Sequence, residues 1–152
     1  MSKEIQVPHY SSSELLKWEE ISTKENKEVK DFTQIQDRLI RGIENRLKQN
    51  QLTLLDGHFC LFNKDGIPKS IDENTYTLIN PMAISVVTHD VYTIHERLEI
   101  RDGNKYSIKV LTEMQALEVA QAVKVSKLLS VPYFEVQQEN LVELKNFIIE
   151  NK

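Results

Sequence analysis

One cysteine, four glycines, four prolines and one tryptophan among 152 residues leave several protein classes without material. Cys60 stands alone, so no intrachain disulfide can form, and a small disulfide-stapled scaffold is excluded. The glycines fall at Gly42, Gly57, Gly66 and Gly103. None belongs to a Gly-x-x-x-x-Gly-Lys-Ser/Thr phosphate loop or a Gly-x-Ser-x-Gly nucleophile elbow, and a lone cysteine cannot make Cys-x-x-Cys. No stretch reaches the roughly 20 apolar residues of a membrane span, and Met1–Pro8 has no apolar core of signal-peptide length. A soluble, unprocessed, cytoplasmic chain with no membrane contact is therefore expected. Neither sign of charge dominates: Lys and Arg number 19 and Asp and Glu 23, a formal net charge of −4, without the basic excess that most nucleic-acid binders display.

What is present is the material of a folded domain. Hydrophobic residues make up 40% and charged residues 28%, and the length suits one core. The expected architecture is α+β: an extended arm over residues 1–10, then a single domain over 11–152. That domain should have helices first, a mostly antiparallel sheet in the middle, and a C-terminal β-hairpin-α-β-α unit. Ser11-Ser12-Ser13-Glu14 is a capping box that opens a short helix carrying Leu15, Leu16, Trp18 and Ile21. Thr23–Lys30 is a mixed-charge, solvated run. Phe32, Ile35, Leu39, Ile40, Ile43 and Leu47 recur at helical spacing and predict an amphipathic helix, with Gly42 marking a close approach.

Residues 52–112 read as β-rich. Asp56-Gly57 between Leu52–Leu55 and His58–Phe62 predicts a hairpin. Asn63-Lys64-Asp65-Gly66 predicts a second turn, and Pro68 places Ile67–Ile71 at a sheet edge. Thr75–Ile79 and Met82–Val87 complete the strands. Val91–Ile100 and Lys105–Leu111 both alternate, so Asp102-Gly103-Asn104 predicts a third hairpin, with Ile100 opposite Tyr106 and Leu98 opposite Ile108. Thr112-Glu113-Met114-Gln115 should start a helix with Leu117, Ala120, Val123 and Leu128 on one face. Tyr133–Val136 is a short strand, and Glu139–Asn151 a last helix.

Candidate chemistry is sparse. Strand geometry would put His89, Val91, Thr93, His95, Arg97 and Glu99 on one face. The His89/His95/Glu99 face is the candidate small-ligand or metal site. Its histidines lie about 20 Å apart along an extended strand, too far to share an ion without a bend. Cys60, in the apolar run His58–Phe62, reads as a buried thiol. Asn63–Gly66 fails as a calcium loop, since Leu61 would be its first ligand. No metal-ligand set and no cofactor are expected. Arg38, Arg41, Lys109 and Lys124 are the candidate nucleic-acid residues, although acidic neighbours interrupt them. Ile5, Val7, Pro8 and Tyr10, with Trp18 as an anchor, are the candidate partner-binding residues.

The order of elements after Val91 resembles restriction-endonuclease-like domains. That resemblance implies acidic ligands at Glu96, Glu99 and Asp102 and a catalytic Glu-x-Lys on the return strand. Here the strand reads Ser107-Ile108-Lys109, so the metal-binding glutamate is replaced by a hydroxyl. The leading expectation is thus a non-catalytic protein-binding or assembly component, by self-association or with a protein partner. A nucleic-acid-associated protein with a degenerate nuclease-like core is the alternative, and a small-ligand domain the third reading.

Overall fold

The computed structural model describes residues 5–15, 32–46, 51–103, 106–137 and 141–152. The chain divides into two compact units, residues 1–57 with 145–152 and residues 58–144.

The first unit is organised on two parallel strands, β1 (His9–Ser11) and β2 (Leu54–Asp56), with His9 opposite Leu54 and Ser11 opposite Asp56. Most of the residues expected as an extended arm lie within this unit. Val7 is buried, Pro8 accepts a hydrogen bond from the Leu54 N–H at 2.8 Å, and Tyr10 sits opposite Leu55. The capping box forms as its spacing predicts: the Glu14 N–H donates to Ser11 Oγ at 3.1 Å, and the Ser11 N–H donates to Glu14 Oε2 at 3.2 Å. Helix α1 (Phe32–Arg46) buries Leu39 and Ile43, one turn apart on the expected stripe. Trp18, Leu16, Ile21, Thr23–Lys30, Leu47 and the side chains of Phe32 and Ile35 lie outside the described residues.

The second unit holds strands β3 (Cys60–Phe62) and β4 (Pro68–Ser70), helix α2 (Glu73–Ile79), strand β5 (Ile84–Thr88), helices α3 (Val91–Asp102) and α4 (Ile108–Leu129), and strand β6 (Tyr133–Gln137). Helix α5 (Val142–Glu150) follows, and its residues from Lys145 belong to the first unit. β3 and β4 form an antiparallel hairpin around the Asn63–Gly66 turn, with Cys60 opposite Ser70. β5 and β6 are parallel from Ile84–Tyr133 to Thr88–Gln137, joined through α3 and α4. Parallel neighbours need such a helical crossover. Tyr76, Ile84, Val86, Ala122 and Val125 make the core, flanked by Phe59, Ile71, Ile79, Val119, Leu129, Val131 and Tyr133. Fully burying side chains of this size contributes about 1.5–3 kcal/mol each.

This arrangement overturns the α+β expectation of a central antiparallel sheet. Two of the three described sheets are parallel, and helices alternate with strands through the second unit. The Asp56-Gly57 hairpin does not form, because β2 pairs with β1 and β3 with β4. Thr75–Ile79 is helical: Asp72 Oδ1 accepts from the Asn74 N–H at 2.7 Å and caps α2.

The Val91–Leu111 hairpin is likewise replaced, by α3 and the start of α4. Asp90 caps α3, its Oδ2 accepting from the Thr93 N–H at 2.9 Å and the Thr93 hydroxyl at 3.0 Å. Ser107 caps α4 by accepting from the Val110 N–H at 3.2 Å. Val91, Ile94 and Leu98 fit a helical face as well as they fit a strand, and the two caps decide between them. The buried face of α4 also differs from the one expected. Leu111, Ala122 and Val125 are buried, whereas Leu128 is exposed. Apolar residues surround most of α4, so period alone does not select its inward side.

Candidate functional site

In open α/β sheets ligands gather at the carboxyl ends of parallel strands, and each unit presents one such end. In the first unit, Ser11 and Asp56 stand opposite each other as the last residues of β1 and β2. The Ser12 hydroxyl donates to the Asp56 carbonyl at 3.0 Å. A Cβ at Gly57 would come within 2.6 Å of Ser12 Oγ, so the glycine permits this close approach. The result is a small polar cluster with the Asp56 side chain exposed.

In the second unit, β5 ends at Thr88 and turns through His89 and Asp90 into α3. Gln115 of α4 holds the turn from both sides: its Oε1 accepts from the His89 N–H and its Nε2 donates to the His89 carbonyl, each at 3.0 Å. His89 Nδ1 is buried, and among the described residues it has no hydrogen-bond partner. The Thr93 N–H, and then the Thr93 hydroxyl, hold the Asp90 carboxyl below its ordinary value. Farther along α3, His95 Nε2 and Glu99 Oε1 are 3.6 Å apart, Arg97 is exposed, and Arg101 pairs with Asp102.

Beside this end, the hairpin is fastened to α4. Glu118 Oε1 accepts from the Cys60 N–H at 3.1 Å and lies 3.6 Å from His58 Nδ1. Gln121 Nε2 donates to the Ile71 carbonyl at 2.8 Å. Cys60 is fully buried; burial first, and Glu118 secondarily, raises its thiol pKa. The Tyr76 hydroxyl donates to the His58 carbonyl at 2.9 Å while its ring stacks on Phe59, and burial pushes its pKa up.

The sequence-derived candidates are redistributed accordingly. His89, His95 and Glu99 do not share a strand face: His89 is at the β5–α3 turn, and only His95 and Glu99 meet, on the helix. Among the described residues no group of three metal-binding side chains is found. The nuclease-like arrangement loses its hairpin, since Glu96, Glu99 and Asp102 lie on α3 while Ser107 caps α4. Arg38 and Arg41 lie on α1, and Lys109 is exposed near the start of α4. Lys124 is paired with Glu73. Ile5, Pro8 and Tyr10 are half-buried.

With this geometry in place, the family comparison has a structural counterpart. The AAA domain model matches residues 1–115, and the chain belongs to that family. The match agrees with an α/β fold, with the parallel pairs and with the strand–helix alternation. It also corrects the antiparallel α+β expectation. No curated protein matches the chain. No described helix is long and apolar enough to cross a membrane. Sequence reasoning missed Asp56 and Gln115. Leu54-Leu55-Asp56, an apolar run ending in a carboxylate, was the available signal for the first; Gln115 had none, because its role depends on a contact 26 residues away.

Proposed function

We propose that the chain is a nucleotide-binding α/β domain that takes a nucleotide at the carboxyl end of the parallel β5–β6 pair in its second unit. It would act by binding, within a larger assembly, rather than as a self-sufficient phosphotransferase. The observation that carries this reading is the AAA domain match over residues 1–115 on a chain with parallel β1–β2 and β5–β6 pairs.

Two features support it. Arg97 on α3 is an exposed guanidinium suited to bidentate phosphate contact. The 152 residues contain no Gly-x-x-x-x-Gly-Lys-Ser/Thr cradle, which favours binding over phosphoryl transfer. The assembly part draws on Tyr92 and Ile100 of α3, which are 67% and 88% exposed.

Calorimetric titration of the full chain with MgATP, MgADP and ATP plus EDTA tests the reading. Without a phosphate cradle, dissociation constants of about 10 µM to 1 mM are expected, equivalent to roughly −7 to −4 kcal/mol. Arg97→Ala should weaken all three titrations. Absence of binding at millimolar nucleotide would overturn it. For the assembly part, Ile100→Glu should lower the sedimentation coefficient of any associated species.

A further inference from the structure

Gln115 is the one described side chain seen to bond both backbone groups of His89. Those groups lie immediately beyond the last β5–β6 pair, Thr88 opposite Gln137. The carboxamide therefore substitutes for a strand neighbour at the point where the ladder stops. The next residue, Asp90, caps α3, so the direction of α3 depends on how this peptide is held. The imidazole belongs to the same corner, and its buried Nδ1 finds no hydrogen-bond partner among the described residues. A buried polar group left in that state calls for surrounding structure that holds it there.

We infer that Gln115 is a positioning residue for the candidate nucleotide site: it fixes the His89–Asp90 corner and thereby the direction in which α3 presents Arg97. The inference rests on the proposed nucleotide reading for its second part only. Chemistry provides a discriminating variant. At neutral pH the carboxylate of Gln115→Glu accepts from the His89 N–H but has no donor for the His89 carbonyl. Once protonated it again offers one donor and one acceptor, in nearly the shape of the original amide. Gln115→Leu keeps the bulk and offers neither.

The test compares amide hydrogen exchange over His89–Thr93, and MgADP affinity, for the full wild-type chain and both variants at pH 7.5 and pH 4. Every ratio is taken against wild type at the same pH. At pH 7.5 both variants should lose about tenfold in protection and in affinity, the equivalent of one hydrogen bond. At pH 4, near the ordinary glutamate value of about 4.3, Gln115→Glu should recover toward wild type while Gln115→Leu does not. A Gln115→Glu protein equal to wild type at pH 7.5, or parallel to Gln115→Leu at both pH values, overturns the inference. Wild type that binds no MgADP overturns the nucleotide reading and the Arg97 clause, while the exchange ratios still decide whether Gln115 fixes the corner.

Discussion

Leu15 lies directly over Gly42: a Cβ added at position 42 would sit 3.0 Å from the Leu15 carbonyl oxygen and 3.2 Å from its Cβ. Leu15 is almost fully buried. Two effects of Gly42→Ala therefore oppose each other. Alanine favours the helical backbone of α1 by about 1 kcal/mol, whereas crowding a packed contact costs about 1–3 kcal/mol. The obstacle includes a backbone carbonyl, which yields less readily than a side-chain tip. Gly42→Ala should be destabilising by about 1 kcal/mol, and Gly42→Val by more, in urea unfolding. A rise in the midpoint for alanine would show that the contact relaxes freely.

The β3–β4 turn depends on one amide. Asn63 Oδ1 accepts from the N–H groups of Asp65 and Ile67, both at 2.9 Å, and Gly66 adopts φ of 72°. Asn63→Ala should cost about 1–2 kcal/mol through the lost hydrogen bonds. Gly66→Ala should cost about 1 kcal/mol through the left-handed backbone. Thermal melts followed by circular dichroism would measure both, and an unchanged midpoint for Asn63→Ala would count against the turn geometry.

Acid should release α3 from its cap. The folded Asp90 carboxyl titrates below its unfolded value because the Thr93 N–H, and then the Thr93 hydroxyl, donate to its ionised form. Its contribution is present above the unfolded value of about 3.9 and is lost as pH falls through the lower folded value. Helix protection in α3 should therefore decline below about pH 4. Asp90→Ala should lower that protection at neutral pH and remove this part of the acid dependence. Hydrogen exchange along Val91–Asp102 reads both effects.

Cys60 should behave as an unreactive thiol. It is fully buried, and burial raises its pKa, so little thiolate forms near neutrality. Modification by a chromogenic disulfide reagent at pH 7.5 should be slow in the native chain and rapid in urea. Fast native modification would mean that the β3–α4 contact opens readily. Tyr76→Phe, which removes the 2.9 Å bond to the His58 carbonyl, should cost about 1–2 kcal/mol and speed the reaction.

How far the sequence could be read varied with how local the determining interaction was. The Ser11–Glu14 box, the Asn63–Gly66 turn, and strands β5 and β6 are set by near neighbours, and they were legible. Val91–Leu111 was not, because its apolar residues satisfy two periods. Tyr92 and Ile100, placed inward by a strand reading, are exposed on the helix. Ser107 illustrates the same difficulty: as a missing nuclease ligand it looked like a defect, while in the structure it is the cap of α4. Asp56 was read as a turn residue, and only the parallel partner strand places it at a carboxyl end. The Gln115–His89 contact depends on the whole α3 excursion, which local pattern does not reveal.

Glu118 and Gln121 take hold of the hairpin at its base, one at Cys60 and the other at Ile71, where the Ile71 N–H also donates to the Phe59 carbonyl. Farther out, the Phe62 ring stacks on Tyr106 with centroids 5.0 Å apart, and Asn63 ties the turn to itself. The turn beyond Phe62 is closed by its own hydrogen bonds. Lys64 and Asp65 stand exposed in that turn, which makes them the natural place for this fold to accept an added peptide.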